Sequence, residues 1–153
     1  MLEQNKVQQL ANYPVVIKLP IQWGDQDAFG HVNNTVAFRW FESARFAYME
    51  QSGVDPLLTA SGLGPILASI RCDYRRQVTY PDNVEIGTKI KRLGSSSITF
   101  EHTVYGESEQ AIVATGEAVV VVFDYSANQP RRMSDDVRSA IGLIESKSAS
   151  EQM

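Results

Sequence analysis

Two aspartates, a histidine and two asparagines crowd into one short run, Asp25-Gln26-Asp27-Ala28-Phe29-Gly30-His31-Val32-Asn33-Asn34. The next stretch, TVAFRWFESARFAYMEQ, is largely apolar and reads as a helix. A polar, glycine-containing loop that feeds a helix N-terminus suits an anion or an oxyanion, because the first backbone N–H groups have no partner within the helix. A carboxylate beside that end can be held ionised and aimed. Asp27 followed by Gly30, which permits a tight backbone path, therefore suits attack on an activated acyl group. The carboxylate would act as nucleophile or as base for water, with a helix-start amide taking the developing negative charge. Asp25 and Asp27 also have a purely structural use as turn residues that cap their own backbone. His31 is equally open: a loop histidine satisfied by backbone, or a donor that positions Asp27 or a substrate carbonyl.

The other familiar chemistries have no foothold. The sequence lacks GxSxG, GxGxxG, GxxxxGKS, CxxC and HExxH, so a serine-hydrolase elbow, a nucleotide loop and a zinc site are not expected. His102 falls on an alternating apolar strand and reads as a core or interface residue. Cys72 sits on the apolar side of its strand and is expected to be a buried, inert thiol. Arg71, Arg75 and Arg76, with Lys89, Lys91 and Arg92, read as solvated strand faces or, as a group, as a phosphate site.

The elements that must position the loop follow from periodicity. Residues 13–22 are β-branched and partly alternating, hence a strand whose end Pro20 restricts to an edge or bulge. The helix should span residues 34–51, capped by Asn33 or Asn34 and ended by Gly53. On its wheel Ala37, Trp40, Phe41, Ala44 and Tyr48 share a face, widened by Val36, Phe38, Ala47 and Met49. Arg39, Glu42, Ser43 and Arg45 leave only a narrow polar side, so the helix is expected to be mostly buried. Residues 54–65 read as a connection with a short helical turn at 55–60. Strands are expected at 66–80, from about 84 to 90, from about 98 to 104 and at 111–123, joined by turns at 81–83, 94–95 and 106–110 as an antiparallel meander. The apolar run 118–123 suggests burial on both faces. A short amphipathic helix capped by Ser134 covers 134–145.

These elements make one α+β domain over residues 13–145, with a loose N-terminal arm (1–12, at most a helical turn) and a disordered tail (146–153). One long helix is covered by an antiparallel sheet of about five strands, whose edges favour association. The chain has 153 residues, enough for one core without disulfides or a structural metal. A net charge of −4 does not favour nucleic acid. A single cysteine, no apolar run long enough for a membrane helix and no secretory leader pattern lead to the expectation of a cytoplasmic protein away from membranes.

The stretch Gly24-Asp25-x-Asp27-Ala28-x-Gly30-His31-Val32-Asn33-Asn34, followed by an aromatic-rich helix carrying FESAR, resembles the hotdog-fold acyl-CoA thioesterases, and most nearly the 4-hydroxybenzoyl-CoA thioesterase family. YRRQVTYPDNVEIGTKIKRLGSSSITFEHTVY and ATGEAVVVVFD are similar to the family's strands, so the resemblance covers roughly residues 14–125. It implies a hotdog fold and hydrolysis of an acyl-CoA to free acid and CoA. The catalytic carboxylate then falls on Asp27, the oxyanion amide at or near Asn34, and site-shaping loop positions on His31 and Asn33. It implies no metal or redox cofactor, a site at a homodimer interface, and dimers that commonly pair into tetramers. For CoA binding the expected residues are Arg71, Arg75, Arg92 and Ser96. Gln26 stands where relatives often carry Thr, and Ala37 where many carry Tyr, which would widen the acyl pocket. Two other hotdog activities stay open: acyl-CoA binding without hydrolysis, and a hydratase or dehydratase using Glu42 with His31.

Overall fold

The computed structural model describes residues 2–150. The elements are α1 (Leu2–Leu10), β1 (Val15–Pro20), a 3-10 turn (Trp23–Asp25), α2 (Val36–Gln51), α3 (Val54–Ala60), β2 (Leu63–Tyr74), β3 (Asn83–Leu93), β4 (Ser97–Gly106), β5 (Ala111–Asp124), β6 (Gln129–Pro130) and α4 (Asp135–Ser150). The sheet runs in the order β1-β3-β4-β5-β2, antiparallel throughout, with the short β6 added beside β5. Its face packs on α2, in the hotdog arrangement.

α2 is anchored to the centre of the sheet through one close approach. Gly116 of β5 pairs with Cys72 on one side and His102 on the other. A Cβ at residue 116 would overlap the Phe41 ring and come 2.5 Å from the Arg71 carbonyl oxygen. With that space empty, Phe41 reaches the sheet and stacks on His102, ring centres 4.7 Å apart. Two apolar clusters result. The first half of α2 buries Ala37, Trp40, Phe41 and Ala44 against Ile86, Val104, Val113 and Ala114. Its second half buries Tyr48 and Met49 with Phe100, Val120, Val54, Leu58, Val137 and Ile141. Gly53, at φ 80°, ends α2 and turns the chain into α3.

The wheel's apolar face is therefore as expected, but Arg45, placed on the polar side, is buried at 8% exposure. Only β3, β4 and β5 form a meander. β2 crosses to the far edge beside β5, because β5's apolar alternation offers it a partner of similar length. β2 also ends at Tyr74: from Arg75 the chain peels away, with the Arg75 and Arg76 N–H groups both donating to the Val113 carbonyl. Along β5 burial alternates, so the run 118–123 is buried on one face and half-buried on the other. Cys72 is half-buried rather than enclosed. β1 does lie at an edge and ends at Pro20.

The termini are more ordered than expected. Residues 2–10 are mostly straight-chain helix formers and make a full helix instead of a loose arm. α1 docks by the buried Leu10, a Lys6–Glu85 ion pair at 2.9 Å and an Asn5 side-chain bond to the Gln110 carbonyl at 3.2 Å. α4 continues through residues 146–150, where disorder was expected, while 151–153 lie outside the described residues. Its expected cap is present: Ser134 Oγ accepts the Val137 N–H at 3.2 Å.

Candidate active site

The loop between β1 and α2 is built by its own carboxylates. Asp25 closes it. Its carboxylate accepts the Gln22 N–H at 2.8 Å, and its carbonyl accepts the Asn33 N–H at 2.8 Å. Residues 26–32 form a small antiparallel lobe, with a bridge between Gln26 and Val32 and the Asp27 N–H on the His31 carbonyl at 2.9 Å. Gly30, at φ 78°, makes the reversal, a conformation open to glycine. The Val32 N–H on the Val78 carbonyl at 2.8 Å ties the lobe to the segment after β2. Asp27 is half-buried; one of its oxygens accepts the Phe29 N–H at 2.9 Å, and the other has no partner among the described residues.

The turn into α2 leaves the Asn34 amide over. The expected caps are displaced by one or two residues: the N-cap position is Thr35, whose side chain makes no cap bond. Asn33 caps from outside the helix, its Oδ1 accepting the Thr35 N–H at 2.9 Å and the Thr35 hydroxyl at 2.7 Å. The Val36 N–H donates to the Asn33 carbonyl at 3.0 Å. With the Asn33 amide on Asp25, the N–H of Asn34 is the one between residues 33 and 36 that donates to nothing among the described residues.

A cavity of about 430 Å³ brings these groups together. Its polar lining comes from Asp27, His31, Asn33 and Asn34 of the loop and from Tyr74, Arg75, Arg76 and Gln77 at and after the end of β2. The remainder is apolar, from Phe29, Val32, Ala37, Trp40, Val78, Val113 and Ala114. The His31 ring lines the cavity with its Nδ1 buried and unpartnered, so in this chain it makes no bond to Asp27. Tyr74 donates its hydroxyl to the Asn34 carbonyl at 2.5 Å. Burial, and next the adjacent Cys72 thiol, push the Tyr74 phenol up to about 12, so it stays protonated. Burial likewise pushes the Cys72 thiol up, away from a reactive thiolate.

The expected cationic group is dispersed. Arg75 and Arg76 reach the cavity, Arg76 held by Glu109 at 3.3 Å. Arg71 instead pairs with Asp73 at 3.1 Å and Glu117 at 3.5 Å. Lys91 also pairs with Glu117, and Lys89 lies over the Tyr13 ring. Arg92 and Ser96, at the β3–β4 end of the sheet, do not line the cavity. A second cavity, about 360 Å³, opens between α2, α3 and β2 and holds Glu42 with Arg45, Phe46 and Leu67. Glu42 is thus separated from His31, so this chain does not assemble the pair a hydratase would use. Sequence periodicity missed Tyr74, read as one more alternating position, and Trp40 and Val78 as cavity walls. The signal available for them was only the helix face and the end of an apolar strand.

Similarity to known proteins agrees with this fold. The PA2801 protein of Pseudomonas aeruginosa has the same fold at a TM-score of 0.74 and 32% identity, over 84% of this chain and 98% of that one. A thioesterase from Thermus thermophilus, solved with coenzyme A and Zn, superposes at a TM-score of 0.76 with 27% identity, over 88% and 97% of the two chains. The long-chain acyl-CoA thioesterase FadM of Escherichia coli is 24% identical over 115 residues, 75% of this chain and 87% of FadM. The family description that matches residues 21–141, from the end of β1 into α4, is that of the Thioesterase-like superfamily, and the chain belongs to that family.

Proposed function

We propose that this protein hydrolyses a coenzyme A thioester to the free acid and CoA. The observation that carries the reading is that one cavity is lined both by Asp27, which keeps a carboxylate oxygen without a partner among the described residues, and by Asn34, whose N–H donates to nothing among them, with apolar side chains around the rest. The acyl group enters over Ala37, Trp40 and Val78. Its carbonyl oxygen meets the Asn34 amide, which stabilises the negative charge of the tetrahedral state. Asp27 either attacks the carbonyl carbon, forming a mixed anhydride that water then opens, or removes a proton from the attacking water. In both routes the carbon–sulfur bond breaks and the CoA thiolate leaves, taking up a proton that the consumed water replaces: handed on by Asp27 in the base route, drawn from solvent in the anhydride route. Arg75 and Arg76, at the cavity wall, face the CoA moiety. Relatives in the family include a thioesterase solved with coenzyme A, which supports CoA as carrier over an acyl carrier protein. The unpaired edge of β2, with Ile66 and Leu67 exposed, supports assembly into a homodimer and a tetramer made of two dimers.

The test is thiol release from a panel of aliphatic and aromatic acyl-CoAs, read with a thiol reagent. Asp27→Asn is expected to fold and to lose about 10²–10⁴ in kcat. Full turnover by Asp27→Asn and Asp27→Ala would remove Asp27 from the reaction. Saturable CoA-ester binding with no thiol released by the wild type would make the protein a binding module instead. Label found in the Asp27 side chain after a single turnover in ¹⁸O water identifies the anhydride route, with water opening the anhydride at the Asp27 carbonyl.

A further inference from the structure

The chain clamps residue 34 from two sides, and one of the clamps comes from the sheet. On its N-terminal side the Asn33 carbonyl is held by the Val36 N–H at 3.0 Å, and the Asn33 amide by Asp25. Both bonds are local to the loop and its helix. On its C-terminal side the Asn34 carbonyl receives the Tyr74 hydroxyl at 2.5 Å, from a residue forty positions away at the last register pair of β2. Tyr74 pairs there with Ala114, which itself lines the cavity. The hydroxyl therefore references the turn to the same strand pair that forms the cavity wall.

We propose that Tyr74 is a positioning residue for the oxyanion amide: its hydroxyl, by holding the Asn34 carbonyl, fixes the backbone that aims the Asn34 N–H into the cavity. The inference rests on the thioesterase reading. The physical ground is that Asn34 lies outside the helix, one residue before the N-cap position, so no helical ladder holds its carbonyl. A peptide flanked by free torsions swings unless both of its sides are tied, and an oxyanion donor is effective only when fixed in advance. The ring of Tyr74 is half exposed and outside the two apolar clusters, so its hydroxyl can be removed without opening the core. Because the phenol stays protonated across the assay range, the tie persists with pH, and no new ionisation enters the rate profile on its account.

The experiment compares the wild type with Tyr74→Phe, which keeps the ring. Three quantities are read: kcat and KM on the preferred acyl-CoA, affinity for a non-hydrolysable CoA thioether, and hydrogen exchange of the backbone amides of residues 33–36. A positioning role lowers kcat by about tenfold, a partial loss beside the roughly 10²–10³ for deleting an oxyanion donor outright. KM and thioether affinity change by less than about twofold, and exchange at 33–36 quickens while the rest of the chain is unchanged. An unaltered kcat, or unaltered exchange at 33–36, overturns the role of Tyr74. A loss expressed as raised KM and weakened thioether binding also overturns it, since Tyr74 would then bind substrate directly. A wild type that releases no thiol from any acyl-CoA overturns the thioesterase reading and this role together, and is recognised by the wild-type control alone.

Discussion

Asp25 and Asp27 stand two residues apart and have opposite employment. Asp25 commits its carboxylate to the Gln22 amide and its carbonyl to the Asn33 amide. Asp27, a lining residue of the cavity, uses one oxygen on the Phe29 amide and keeps the other without a partner among the described residues. An amide oxygen can accept the bond that Asp25 accepts, so Asp25→Asn should keep most of its turnover, whereas Asp27→Asn should lose about 10²–10⁴. Steady-state kinetics of the two variants side by side check this. Asn33 and Asn34 divide in the same way. Asn33 acts through its side chain, which caps the Thr35 amide and hydroxyl, and Asn33→Ala should cost about 1 kcal/mol of stability in a denaturant titration. In the proposed reaction Asn34 acts through its backbone, so Asn34→Ala should retain wild-type kcat. A large loss in Asn34→Ala would assign the chemistry to the side chain instead of the amide.

At the scale of elements, the position of α2 on the sheet decides where its N-terminus points. That position depends on the stack of Phe41 on His102 over the empty side of Gly116. Gly116→Ala would place a methyl group inside both the Phe41 ring and the Arg71 carbonyl, and neither the strand backbone nor a ring held at 0% exposure yields easily. The expected cost is about 1–3 kcal/mol, together with a loss of kcat as the start of α2 shifts. Thermal or denaturant unfolding measures the first and thiol release the second. A variant with wild-type stability would show that Phe41 does not set the helix height. The extension of α4 and the docking of α1 have less bearing on the site, since both pack away from the cavity.

For the whole molecule, His102 links the core to pH. Burial, and next the nearby Arg45 charge, push its imidazole down to about 3 from 6.5. The folded protein thus holds His102 neutral while the unfolded chain takes up a proton near the ordinary value. The His102 contribution to stability is complete above pH 6.5 and falls as pH drops from 6.5 toward 3, by up to about 1.4 kcal/mol per pH unit. His102→Gln, neutral throughout, should flatten that limb of the stability curve, as measured by denaturant midpoints from pH 7 to pH 4. The proposed assembly gives a further expectation at this scale: light scattering should report a mass of two or four chains, with a monomer counting against it.

Much of this protein was legible in the order of its residues. Periodicity located α2 and its buried face, the strands and the turns between them, because burial on one face imposes a period that survives in a linear string. The Asp-x-Asp-x-x-Gly-His-Val-Asn-Asn run pointed to the loop and to the family before any coordinates. Periodicity could not say that β2 crosses to the far edge, since pairing is a choice among partners of similar pattern. Nor could it separate the six cations, because only the fold decides which strand end meets the cavity. It placed Arg45 among polar positions, and only the tertiary packing of α2 buried it. Above all, which amide is left without a partner is a property of the complete hydrogen-bond pattern around residues 33–36. Asn34 emerges there by subtraction, with Tyr74 reaching it across forty residues of chain.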